Sequence, residues 1–123
     1  MTKNNINKFG MNNNYRESNI VIEFYLNTEN NSEELELSRF LIASFFAQEN
    51  INCIESSKGH LIFKETIDKY LNVFTALSDL RYDEIIVRNL KEAYIFFYEK
   101  EDLLNNFLRK DSPYQFSLPE IMM

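Results

Sequence analysis

The chain has 123 residues, one domain's length, and 45% of them are apolar, with 11 Phe and 7 Tyr but no Trp; this composition excludes a generally disordered chain. Its 13 basic and 19 acidic side chains leave a net charge of −6, which argues against a constitutive nucleic-acid binder, since that needs clustered Lys and Arg to displace counterions from phosphate. Only two Gly and two Pro are present, and no P-loop, G-x-G-x-x-G or G-x-S-x-G pattern occurs, so most phosphate-cradling and nucleophile-elbow chemistry is ruled out.

Residues 1–18 are rich in Asn, with scattered apolar positions at Ile6, Phe9, Met11 and Tyr15. They are expected to form a mobile tail, because so little apolar surface does not offset the entropy of ordering. Either Met1 or Met11 would serve as the start. From Asn19 to Leu26 the pattern alternates, with Ile20, Ile22, Phe24 and Leu26 on one face and Asn19, Val21, Glu23 and Tyr25 on the other. That period of two predicts a strand. After the polar loop Asn27 to Asn31, Asn31 or Ser32 is expected to cap a helix reaching Glu49 or Asn50. Glu33, Glu34 and Glu36 are expected in its first turn, where the helix dipole favours negative charge. Its apolar residues Leu35, Leu37, Phe40, Leu41, Ile42, Phe45 and Phe46 make a stripe wider than a surface helix needs. Such a helix is either buried on several sides or meets another molecule.

Ile51–Ser56 and His60–Glu65 read as two strands around Ser57-Lys58-Gly59, a loop that suits a type I turn closed by a left-handed Gly bulge. In that register Ser56 faces His60 and Ile54 faces Ile62. Cys53, Glu55, Leu61 and Phe63 then share one face, and Ile54, His60, Ile62 and Lys64 the other. Thr66 is expected to cap a second helix through Ile67, Tyr70, Leu71, Phe74 and Leu77, which exits at 79–83. Glu84–Arg88 reads as a short strand. Beyond Asn89 two readings stay open. Asn89-Leu90-Lys91-Glu92 has the form of a capping box and opens a long helix, or Tyr94–Tyr98, rich in β-formers, is a fifth strand. The β-former content favours the strand, with a short helix from Glu101 carrying Leu103, Leu104, Phe107 and Leu108. Residues 111–123, with Pro113 and Pro119, are expected to be an extended tail. The sum is one α+β domain over residues 19–110, with a ferredoxin-like βαββαβ antiparallel sheet, two helices on one face, and a C-terminal strand or helix in addition.

A single cysteine, Cys53, makes no internal disulfide. The start lacks a secretory apolar stretch, and the longest near-apolar run, Phe40–Ala47, is short for a membrane span. A cytoplasmic location is therefore expected. The Asn-, Ile-, Lys- and Phe-rich usage suggests an AT-rich genome, such as a low-GC bacterium or its phage or mobile element.

For catalysis there is little to build with. The only thiol and the only imidazole, Cys53 and His60, fall on opposite faces in the expected register, and Cys53 reads as a core residue. His60 reads as an exposed turn histidine, one ligand where zinc wants three or four. The carboxylates lack calcium-loop spacing. No catalytic, cofactor or metal residue is therefore assigned. Charge is more informative, because residues 17–49 carry seven Glu and one Arg. Such an acidic region can steer a basic partner. The outer sheet face would also present Val21, Tyr25, Ile54 and Ile62, with Tyr94, Phe96 and Tyr98 if the fifth strand forms, unless Leu104, Phe107 and Leu108 cover it. These observations point to a non-catalytic protein-binding module of inhibitor, immunity or adaptor type. Its candidate contacts are Glu29, Glu33, Glu34, Glu36, Tyr25, Ile54 and Ile62. The partner is another protein with a basic surface, or a second copy through the open sheet face. The alternatives are a small-molecule-binding or weakly catalytic domain using carboxylates and Tyr, and a nucleic-acid-associated regulator relying on the basic residues Lys3, Lys8 and Arg16.

Overall fold

The computed structural model describes residues 19–109; the tails expected at 1–18 and 111–123 lie outside the described residues. In chain order the elements are β1 (Asn19–Leu26), α1 (Ser32–Ala47), β2 (Cys53–Ser57) and β3 (His60–Thr66). A 3-10 turn (Ile67–Lys69) leads into α2 (Tyr70–Leu80), followed by α3 (Glu84–Asn89), β4 (Leu90–Phe96), β5 (Lys100–Asp102) and a π-helical turn (Leu104–Leu108). The five strands form one antiparallel sheet in the order β2-β3-β1-β4-β5. The protein is thus α+β, and β1 lies at the centre between β3 and β4.

One face of the sheet carries the core. Ile20, Ile22, Phe24 and Leu26 of β1 join Leu61 and Phe63 of β3 and Leu90, Ala93 and Ile95 of β4. Leu35, Ile42 and Phe46 of α1 close over them, with Val73, Ala76, Leu77 and Leu80 of α2, Ile86 of α3 and Leu104, Phe107 and Leu108 of the π turn. Three phenylalanines form its centre. The rings of Phe46 and Phe63 stack at 4.2 Å, and both meet Phe24 edge-on at about 6 Å. Fully burying such a side chain is worth roughly 1.5–3 kcal/mol.

The alternation over β1 and the helical spacing of α1 and α2 appear as expected. Asn31 caps α1 by accepting the Glu34 backbone N–H (3.0 Å), and the helix ends where Asn50 takes a left-handed φ of 63°. That reversal lets the Ile51 N–H reach back to the Phe46 carbonyl (2.9 Å) and drives Ile51 into the core. Thr66 precedes the 3-10 turn and bonds the Asp68 carboxylate through its hydroxyl instead of capping the backbone.

Three expectations are corrected. Glu84–Arg88 is helical, as part of α3, and not a strand. The Asp83 carboxylate accepts the Ile86 N–H (3.1 Å), and this cap outweighs the β preference of Ile85, Ile86 and Val87. The fourth strand is therefore Leu90–Phe96, which starts four residues before Tyr94 and pairs with β1, and β5 follows it as a short hairpin partner.

The β2–β3 hairpin is also offset from the expected register. Ser57 faces His60, Ser56 faces Leu61 and Glu55 faces Ile62, while a bulge at Ile54 restores Cys53 opposite Phe63. The turn has two residues, Lys58-Gly59, and Gly59 has no positive φ. Glycine is favoured there by proximity. A Cβ on Gly59 would fall 2.5 Å from Thr28 Cγ2, in the loop that the Leu26 N–H ties to the Gly59 carbonyl (2.9 Å).

The third correction concerns the C-terminal helix. Expected from Glu101, it begins only after β5, at Leu104. Of the two alternatives left open for Leu104, Phe107 and Leu108, these side chains join the same core as α1 and α2 and leave the outer sheet face uncovered by them.

Candidate functional site: the open face of the sheet

The residues alternating with the core positions point to the other face. The strand register aligns Glu55, Ile62, Glu23, Tyr94 and Asp102 in one row. Ser57, His60, Tyr25 and Glu92 form the row beside it, and Lys64, Val21, Phe96 and Lys100 the row on its other side. No described helix or loop packs over this surface, since the helices and the π turn bury their apolar side chains in the cluster beneath. Val21, Tyr25, His60, Ile62, Tyr94 and Phe96 are all half-buried.

The aromatic side chains are held in fixed positions. The His60 imidazole stacks on Tyr25 at 4.3 Å with 14° between the planes, and Tyr94 meets Tyr25 edge-on at 6.2 Å. Tyr25 Oη donates to Glu23 Oε1 and Tyr94 Oη to Glu92 Oε1, each at 3.1 Å. Desolvation, the Glu23 bond and the charges of Glu23, Glu92 and Glu55 raise the Tyr25 phenol above its ordinary value. The Glu92 bond, with desolvation and the nearby charges of Glu92 and Asp102, does the same for Tyr94. The Lys100 ammonium lies over the Tyr94 ring at 4.1 Å and near Phe96 at 5.7 Å. Asp102 is turned to local use, because its carboxylate accepts the Asn105 backbone N–H (3.0 Å) and side-chain amide (2.8 Å). Those bonds hold it below the usual carboxylate range.

Of the residues singled out from the sequence, Tyr25 and Ile62 come together on this face. Ile54 does not, because the bulge leaves it on the edge strand, 59% exposed. The acids of 29–36 lie elsewhere. Glu29 is in the β1–α1 loop, and Glu33 is exposed on the first turn of α1. Glu34 is bound by Arg88 (2.6 Å) and Asn89 (2.9 Å), which hold its carboxyl below the usual range. Glu36 is paired with Arg39 (3.0 Å). Two of the four candidate acids are thus engaged in ion pairs within the chain. The alternation of β1 already puts Glu23 beside Tyr25; the residues missed were His60, taken for an exposed turn histidine, and Glu92, whose place on the face follows only from the pairing of β4 with β1.

The remaining surface is less organised. The wide stripe of α1 leaves Leu37 and Phe40 41% and 67% exposed. Phe40 lines a shallow cleft against β2 with Glu36, Arg39, Ala43, Cys53, Ser56 and Leu61. A second cleft is lined by Arg81, Glu84, Val87, Arg88 and Arg109. Glu23 and Glu55 line neither. Cys53 sits opposite Phe63 on the core side, its thiol donating to the Glu55 carbonyl (3.0 Å), so it and His60 lie on opposite faces. Among the described residues no group of three or more His, Cys, Asp or Glu is arranged to hold a metal ion, and no helix is long and apolar enough to cross a membrane. Neither protein-family models, nor curated proteins, nor solved structures give a match to this chain, so the functional reading rests on geometry alone.

Proposed function

We propose that this chain is a non-catalytic protein-binding module of the inhibitor, immunity or adaptor type, acting in the cytoplasm through the open face of its sheet. The observation that carries this reading is the outer surface of Val21, Tyr25, His60, Ile62, Tyr94 and Phe96. These half-buried rings and aliphatic chains share one side of the sheet, and no described element covers them. Tyrosines that present apolar bodies with hydroxyls held by neighbours suit a binding surface, because little side-chain entropy remains to be lost on contact. The scaffold we infer is a split-βαβ, ferredoxin-like sheet carried one strand further. The order β2-β3-β1-β4, with β1 and β3 inside, supports that reading.

The exposed acids Glu29 and Glu33, with Glu34 and Glu36 beside them, would steer a basic partner during encounter without forming the central contact. A test is affinity capture from source lysate with the wild-type chain and with a Tyr25→Ala/Tyr94→Ala chain side by side. A stoichiometric partner held by the first and lost by the second is expected. A wild-type chain that retains no stoichiometric partner and stays monomeric would remove the reading.

A further inference from the structure

Resting on that reading, we propose that the open face takes an arginine side chain of its partner, with the guanidinium lying against the Tyr25 and Tyr94 rings between the carboxylates of Glu23 and Glu92. The first argument is charge. Glu23, Glu55 and Glu92 border these two rings, and none of the three pairs with a cation among the described residues; the ion pairs of the acidic region are Arg39 with Glu36 and Arg88 with Glu34. Three carboxylates without an ion-pair partner around half-buried rings repel an acidic partner and favour a cationic one. They outnumber the two ammoniums of the face, Lys64 and Lys100, which belong to the row of Val21 and Phe96.

The second argument is the rings themselves. The chain already places a cation on one of them, because the Lys100 ammonium lies 4.1 Å from the Tyr94 centroid. That contact is the attraction an incoming cation would use at the adjoining Tyr25. The hydroxyls of Tyr25 and Tyr94 each bond Oε1 of Glu23 or Glu92. Each carboxylate is thereby oriented, and its second oxygen stays available.

Arginine fits this arrangement better than lysine. Its planar, weakly hydrated guanidinium stacks on a ring and presents two parallel donors to a carboxylate, whereas an ammonium is a compact and strongly hydrated point charge. A second copy of this chain is the weaker occupant, since each copy carries −6 and would set the same three carboxylates near their counterparts.

The test is an NMR titration of the full chain with three synthetic peptides on one apolar frame, carrying arginine, lysine or citrulline at the central position. Citrulline keeps the shape of arginine and removes the charge. Saturable shifts at the Tyr25, His60 and Tyr94 ring signals are expected with the arginine peptide, a few-fold weaker with lysine. The citrulline peptide is expected to bind about tenfold or more weakly, as loss of a charge-assisted bond implies. Glu92→Gln and Glu23→Gln chains that keep a dispersed spectrum should weaken the arginine peptide and leave citrulline unchanged. Equal binding of the arginine and citrulline peptides overturns the arginine seat while leaving a protein-binding face in place. So does the absence of open-face shifts with any peptide while the captured partner still shifts those rings. Concentration-dependent shifts of the same rings without peptide would assign the face to a second copy and overturn it as well. A face silent to both peptides and partner would sink the underlying reading too.

Discussion

The imidazole of His60 lies flat on the ring of Tyr25, 4.3 Å between centroids, with Nε2 shut off from solvent and without a hydrogen-bond partner. A turn-adjacent histidine thus forms a wall against the Tyr25 ring. The stack couples β3 to β1 across the outer face. A double-mutant cycle of His60→Ala and Tyr25→Ala in urea denaturation should return a coupling of about 0.5–1.5 kcal/mol. A coupling indistinguishable from zero would mean that the stack does not hold Tyr25 in place.

Asp83 decides the identity of the segment after α2. With its carboxylate on the Ile86 N–H, residues 84–89 wind into α3 and bury Ile86 and Asn89. Asp83→Ala should cost about 1 kcal/mol (0.5–2) by chemical denaturation. Asp83→Asn or Asp83→Ser should recover most of that, since each keeps a capping oxygen. An unchanged midpoint for the alanine variant would deny the cap its role.

Gly59 is favoured by its closeness to Thr28. Gly59→Ala sets a methyl against Thr28 Cγ2, which has to turn away, and should destabilise by about 1 kcal/mol, the low end for overpacking, because Thr28 is exposed. Adding Thr28→Ser, which removes that methyl, should return most of the loss. Failure of the second substitution to rescue the first would point to a backbone cause.

Tyr70 sets an alkaline limit. Its ring is 3% exposed and packs on Phe97 at 5.2 Å, and its hydroxyl has no hydrogen-bond partner. Burial, assisted by the Glu101 charge, pushes the phenol from 10.0 up to about 12. The neutral phenol is the form the fold favours. Its contribution is therefore complete below the unfolded value near 10.0 and is lost as pH rises through about 12. Tyr70→Phe should remove that alkaline loss. At neutral pH it should hold stability or raise it by about 1 kcal/mol, because a buried unpaired hydroxyl is removed. Thermal melts at pH 7 and pH 11 check both; a wild type and variant that lose stability in parallel would contradict the assignment.

Much of the sheet was legible because burial on one side leaves a period of two. Ile20, Ile22, Phe24 and Leu26 marked β1 and its outer face, and Tyr25 and Ile62 followed. The remainder depended on contacts between distant residues. The bulge at Ile54 moves one side chain to the edge and Glu55 to the open face, and no local pattern announces it. Glu84–Arg88 has strand composition and helical fate because a single preceding aspartate caps it. The width of the α1 stripe gave no way to separate Leu35, Ile42 and Phe46, which are buried, from Leu37 and Phe40, which are not. The engagement of Glu34 within the acidic stretch 29–36 was hidden for a similar reason, since Arg88, which binds it, lies 54 residues away.

The most direct test of the open face as the docking surface is calorimetric titration of the captured partner into the wild-type chain and into the folded Tyr25→Ala/Tyr94→Ala chain. Loss of two central aromatic anchors, each worth about 2 kcal/mol or more, should weaken binding by about a hundredfold or beyond. A Glu33→Gln/Glu36→Gln chain should keep its affinity within a few-fold and lose only association rate. Unchanged affinity in the tyrosine variant would contradict the docking face, most plainly if the α1 acid variant alone lost binding.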